Sequence, residues 1–178
     1  MRPVLLALAL CAAPALAQTA ASDSVRLPVD RLGIEHPGIG AALDHAVGFG
    51  RSWLTDNEVL APFGVAVTAP GVPNVIAVDD PALTSHDVLM VLVETLRQTA
   101  GRGLAGDASR PVTAVALAFD ILTSVPGRPG KTDALCVIVE APDVDGARAY
   151  VLPYVRESGT ARFLQPYLRD ESPLLIPR

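Results

Sequence analysis

The tightest constraint on this chain lies in its second half, where three apolar runs follow one another with only short turns between them. Residues 112–123, 134–141 and 147–155 are dominated by Val, Ile, Leu and Ala. The first connection contains Pro126-Gly127-Arg128-Pro129-Gly130 and the second is Pro142-Asp143-Val144-Asp145-Gly146, both made of turn residues. Connections this short join antiparallel neighbours, because a parallel pair needs a long crossover. The first run is apolar on both parities. Val115, Leu117, Phe119 and Ile121 alternate with Ala114, Ala116, Ala118, Asp120 and Leu122. One side of such a sheet is expected to meet helices. The side of Ala114, Ala116 and Ala118 is expected to stay open as an interaction face for a second copy or another protein.

The first half supplies the helices. Ile39, Leu43, Ala46, Val47, Gly50, Trp53 and Leu54 share one helical face. Gly48 and Gly50 each weaken that helix by up to about 1 kcal/mol relative to Ala. Burial of the stripe must therefore hold it, with Trp53 expected as its largest core anchor. Runs 64–69 and 74–79, separated by Pro70-Gly71-Val72-Pro73, read as a hairpin. Thr84 or Ser85 caps a second helix, whose stripe is Val88, Leu89, Leu92, Val93, Leu96 and Ala100 and whose end is Gly101. The tail after Glu157, with Phe163, Leu164, Tyr167 and Leu168, is expected to form a short helix. The fold class is α+β: a five-stranded antiparallel sheet in the order helix, two strands, helix, three strands, tail, with the helices packed on one face.

Residues 1–17 read as a secretory signal: Arg2, an apolar run over 4–13, Pro14, then Ala15-Leu16-Ala17, with cleavage between Ala17 and Gln18. The run is shorter than the roughly 20 residues a bilayer span needs. A lipoprotein signal at Cys11 is disfavoured by Leu10, where a small residue is wanted, and a retained anchor by the short run. The expected location is periplasmic or secreted, with no stable membrane anchor after cleavage. Residues 18–37 form a flexible leader and 38–178 one domain; some 160 residues suffice for a core without staples. A net charge of −5, scattered along the chain, argues against nucleic acid as a partner. With Cys11 removed, Cys136 has no disulfide partner.

The element order resembles profilin-like and roadblock-type domains. The words Pro62-Phe63-Gly64-Val65-Ala66, Ala116-Leu117-Ala118-Phe119-Asp120, Lys131-Thr132-Asp133-Ala134-Leu135, Glu140 and Leu152-Pro153-Tyr154 resemble a set of small uncharacterised bacterial proteins over about residues 39–155. Members of that set often carry Tyr where Phe119 stands and mostly lack a signal. The resemblance implies no site residues.

Few constellations could carry chemistry. Gly101-Arg102-Gly103-Leu104-Ala105-Gly106 spells a dinucleotide word, but it follows a helix and precedes a strand, the reverse of what a phosphate site needs. Asp120, Asp133 and Glu140 are the acids that could share acid and base roles or hold a hard cation; the structural alternative is a solvated strand face. Cys136, in an alternating strand, reads as an inert core thiol. His36, His45 and His86 are scattered, and Asp143-Val144-Asp145-Gly146 resembles only part of a calcium loop. No cofactor and no resident metal are expected. The reading is an exported, non-catalytic domain that binds a protein partner or a second copy. Its rivals are a hydrolase-like or metal-assisted enzyme using Asp120, Asp133 and Glu140, and a small-molecule pocket near Trp53 and Phe63.

Overall fold

The computed structural model describes residues 35–157, 159–172 and 174–176. The expected signal segment, its expected cleavage point at Ala17 and Gln18, and nearly all of the expected leader lie outside these residues. Helix α1 spans Pro37–Asp56, strands β1 and β2 span Phe63–Thr68 and Val72–Ile76, and α2 spans Ser85–Arg102. Then come β3 (Val112–Thr123), β4 (Thr132–Glu140), β5 (Ala147–Glu157), β6 (Thr160–Phe163) and β7 (Tyr167–Glu171). The class is α+β with an antiparallel sheet, as expected. The sheet has seven strands, not five, in the order β2-β1-β3-β4-β5-β6, with β7 also paired to β5.

The two extra strands replace the expected tail helix. β5 is 11 residues long and offers one whole edge. β7 takes its first half, with Ala147 opposite Glu171, and β6 takes its second, with Glu157 opposite Thr160. Gly159, at φ 83°, turns the chain between β5 and β6 in a two-residue hairpin. Unpaired strand edges are costly to leave open, and that gain outweighs the weak helical pattern of the segment.

The helices do not share a face. α1 lays Ile39, Ala42, Leu43, Ala46 and Leu54 on Ala114, Ala116, Ala118, Leu135 and Val137. α2 lays Leu92, Val93 and Leu96 on the opposite side, against Ala66, Val115, Leu117 and Cys136. This follows from β3 being apolar on both parities: each side needs a cover. The Ala stripe therefore lies beneath α1. Ala114, Ala116 and Ala118 are fully buried, and the expected open face is closed.

Small residues bring α1 close to the sheet. A Cβ on Gly50 would sit 2.9 Å from Leu135 Cδ2, so the glycine that weakens the isolated helix makes room for a core leucine. Trp53 is not the core anchor. It is 37% exposed, stacks 5.9 Å from Phe49, and donates its indole N–H to the Val59 carbonyl at 3.0 Å. Burying that donor without a partner would have been costly. Phe63, Tyr150 and the aliphatic side chains fill the core instead.

Both helix starts are capped. Pro37, assigned to the leader from sequence, opens α1, and His36 accepts the Ile39 N–H on Nδ1 at 3.1 Å. Its Nε2 reaches Asp143 Oδ1 at 3.1 Å, tying α1 to the β4–β5 turn. Thr84 and Asp87 form a reciprocal capping box on α2, worth about 1 kcal/mol. α2 continues past Gly101 and stops at Gly103, whose φ is 85°. A Cβ there would lie 2.1 Å from the Asp107 carbonyl oxygen, so only glycine fits.

Candidate functional site

Asp120, Asp133 and Glu140 do not come together. Asp120 and Asp133 lie near one end of β3 and β4, on the α1 side; Leu122, two residues beyond Asp120, pairs with Asp133. Glu140 stands at the other end of β4, roughly 23 Å of strand from Asp133. It pairs with Val115 and faces the α2 side. Among the described residues no group of three or more His, Cys, Asp and Glu side chains could hold a metal ion.

The Asp120 end is polar within an apolar surround. Tyr154, 2% exposed, donates its hydroxyl to Asp120 Oδ1 at 3.1 Å. Burial pushes the Asp120 carboxyl above its ordinary range, and the Asp133 charge adds to this against the Tyr154 hydrogen bond. Burial and the same carboxylates push Tyr154 well up, so it is a donor at neutral pH and not a base. Arg156 stands near but is committed elsewhere. Its guanidinium donates to the carbonyls of Leu54, Asn57 and Glu58 at 3.2, 2.8 and 2.6 Å. This closes the carboxyl end of α1, where bare carbonyls favour a cation. Asp133 is exposed.

Glu140 has a different setting. It is 2% exposed, among the few buried charged or polar side chains described. Its Oε1 accepts the N–H groups of Leu174 and Leu175 at 2.6 and 2.7 Å, and its Oε2 accepts that of Ile176 at 2.8 Å. Three successive N–H groups converging on one carboxylate form an anion nest, here filled by a side chain of the same protein. Arg97 of α2 donates Nε–H to the Leu174 carbonyl at 2.8 Å. Leu175 is fully buried among the residues under α2, while Leu174 and Ile176 border an open groove facing Glu94, Gln98 and Arg102. The charge of Glu140 is thus satisfied by main-chain donors, which removes most of the penalty for burying it.

The remaining candidates are placed as follows. Cys136 is buried and its thiol is pushed up to about 11, chiefly by burial. His45 is partly buried and lowered by burial, and His86 is exposed in the first turn of α2. The space between Trp53 and Phe63 is taken by Phe49, whose ring lies 5.9 and 4.7 Å from theirs. Sequence reasoning did not find Arg97 or residues 174–176. The available signal was the triplet Leu174-Leu175-Ile176 bracketed by Pro173 and Pro177. Among the described residues no helix is long and apolar enough to cross a membrane. No family model, curated protein or solved structure gives a significant match to this chain.

Proposed function

We propose that this chain is an exported, non-catalytic domain that binds a protein partner through the cleft between Glu140 and Arg97. The observation that carries the reading is the way residues 174–176 are held. Two opposite charges read main-chain N–H and C=O groups, and one leucine side chain enters an apolar socket. That is peptide-recognition chemistry, in which main-chain bonds give affinity and a pocket gives selectivity. The export part rests on residues 1–17, and mass spectrometry of the protein made in cells tests it: the chain should begin at Gln18, and an intact Met1 overturns it.

The binding part is tested in the full chain carrying Leu175→Asp, which weakens the hold on its own segment. A labelled synthetic peptide of residues 171–178 should bind this variant. Adding Glu140→Gln should weaken that binding tenfold or more, since a charge-assisted acceptor is lost. A folded Leu175→Asp protein that ignores the peptide overturns the reading.

A second reading is favoured by one observation, the partly buried, upward-shifted Asp120 hydrogen-bonded to Tyr154. Such a carboxyl is suited to act as a general acid. Loss of a measured turnover in Asp120→Asn would move that reading to the front.

A further inference from the structure

We infer that the occupant of the Glu140–Arg97 cleft can be the same segment of a second copy, so that two copies of the chain join by exchanging residues 174–176. The inference rests on the binding reading above and names its partner. Three observations carry it.

The first is that the hydrogen bonds holding the triplet all go to its main-chain groups, while Leu175 is buried and Leu174 and Ile176 pack partly against the same core. Glu140 takes the three N–H groups, Arg97 takes one carbonyl, and Leu175 supplies the one deeply buried side chain. A cleft that reads these atoms is blind to which copy delivers them, and every contact made within one chain is remade between two.

The second is the proline bracket. Pro173 and Pro177 have no N–H, so the donors of this stretch are those of Leu174, Leu175 and Ile176, and Glu140 uses all three. The register is therefore unique. The residue before each proline is also restricted, which lowers the ordering cost when the segment docks. The triplet is a self-contained epitope whose recognition does not depend on the strand before it.

The third is the connection. Glu171 ends β7 opposite Ala147, on the α2 side of β5, and only Ser172 and Pro173 separate it from Leu174. Leu174, Leu175 and Ile176 meet Glu140 of β4, so a link of only two residues separates the end of β7 from the docked triplet. Short hinge loops invite exchange of the segment that follows them between copies. Exchange in both directions closes a two-fold dimer and leaves no unfilled cleft.

The test uses two full-length variants. One has a weakened cleft, Glu140→Gln with Arg97→Ala, and an intact segment. The other has an intact cleft and a disabled segment, Leu175→Asp. Each alone should sediment as a monomer. Mixed in equal amounts, they should yield a mixed dimer, read by native mass spectrometry as one copy of each. Two folded variants that stay monomeric on mixing overturn the inference. Should circular dichroism show that a variant does not fold, wild-type chains with and without ¹⁵N are refolded together at high concentration. Dimers of mixed mass support the exchange, and monomers alone overturn it. Peptide 171–178 binding to Leu175→Asp without any mixed dimer leaves the binding reading standing and removes the second copy as its partner.

Discussion

The hydroxyl of Tyr154 reaches across from β5 to the Asp120 carboxylate on β3, a 3.1 Å hydrogen bond between two side chains under the carboxyl end of α1. The bond favours the ionised carboxylate, while burial opposes it, and burial is the larger effect. The folded protein therefore holds the Asp120 proton more tightly than the unfolded chain does. That contribution to stability is complete below the ordinary carboxyl range and is lost as pH rises through the elevated value. Asp120→Asn keeps an acceptor for Tyr154 and removes the charge. Calorimetry should find its melting temperature above wild type at pH 7 and the gap closed near pH 3. An equal deficit at both pH values would contradict this.

Arg156 is the second test. It joins β5 to the end of α1 through three carbonyls. Arg156→Ala should cost about 2 kcal/mol, the range for hydrogen bonds made by a charged donor. Urea denaturation measures it. Arg156→Lys should recover only part of the loss, because an ammonium lacks the planar fork that serves several carbonyls at once.

Ala118 reports which side of the sheet is closed. It is fully buried beneath α1. Ala118→Glu would bury an unpaired charge and should abolish cooperative unfolding in circular dichroism. Ala118→Leu should cost about 1–3 kcal/mol by overpacking. A folded Ala118→Glu protein of wild-type stability would mean that α1 does not cover the strand.

Cys136 gives a kinetic test. With its thiol buried and pushed up to about 11, little thiolate exists at pH 8. A thiol reagent should label the native protein slowly and the denatured protein at the rate of a free cysteine. Fast native labelling would show that the strand opens readily.

The helices and strands from α1 to β5 were legible because their periods were clean and their turns rich in Gly and Pro, although β2 starts at Val72, inside the expected turn, and ends at Ile76, short of the expected Asp79. A cap at Thr84 or Ser85 was legible for the same local reason, and the structure selects Thr84. What local pattern could not show was the assignment of faces. Ala114, Ala116 and Ala118 suggest an open surface by size alone; that α1 covers them shows only in the packing, where Gly50 makes room for Leu135. β6 and β7 were hidden because strands this short owe their existence to the edge of β5, a partner distant in the sequence for β7. Glu140 was noticed as an acid in an apolar strand. Its role was not readable, because its three donors stand 34 to 36 residues later.

The contrast between the central strands and the Glu140 contact has a consequence for the exchange of amide hydrogens with solvent. β3 and β4 have a strand on each side and apolar cover above and below, so their amides meet water only when the whole domain opens. The amides of Leu174, Leu175 and Ile176 hang on one side chain. Their deuterium uptake is set by the release of that segment alone, and it times how often the contact with Glu140 opens.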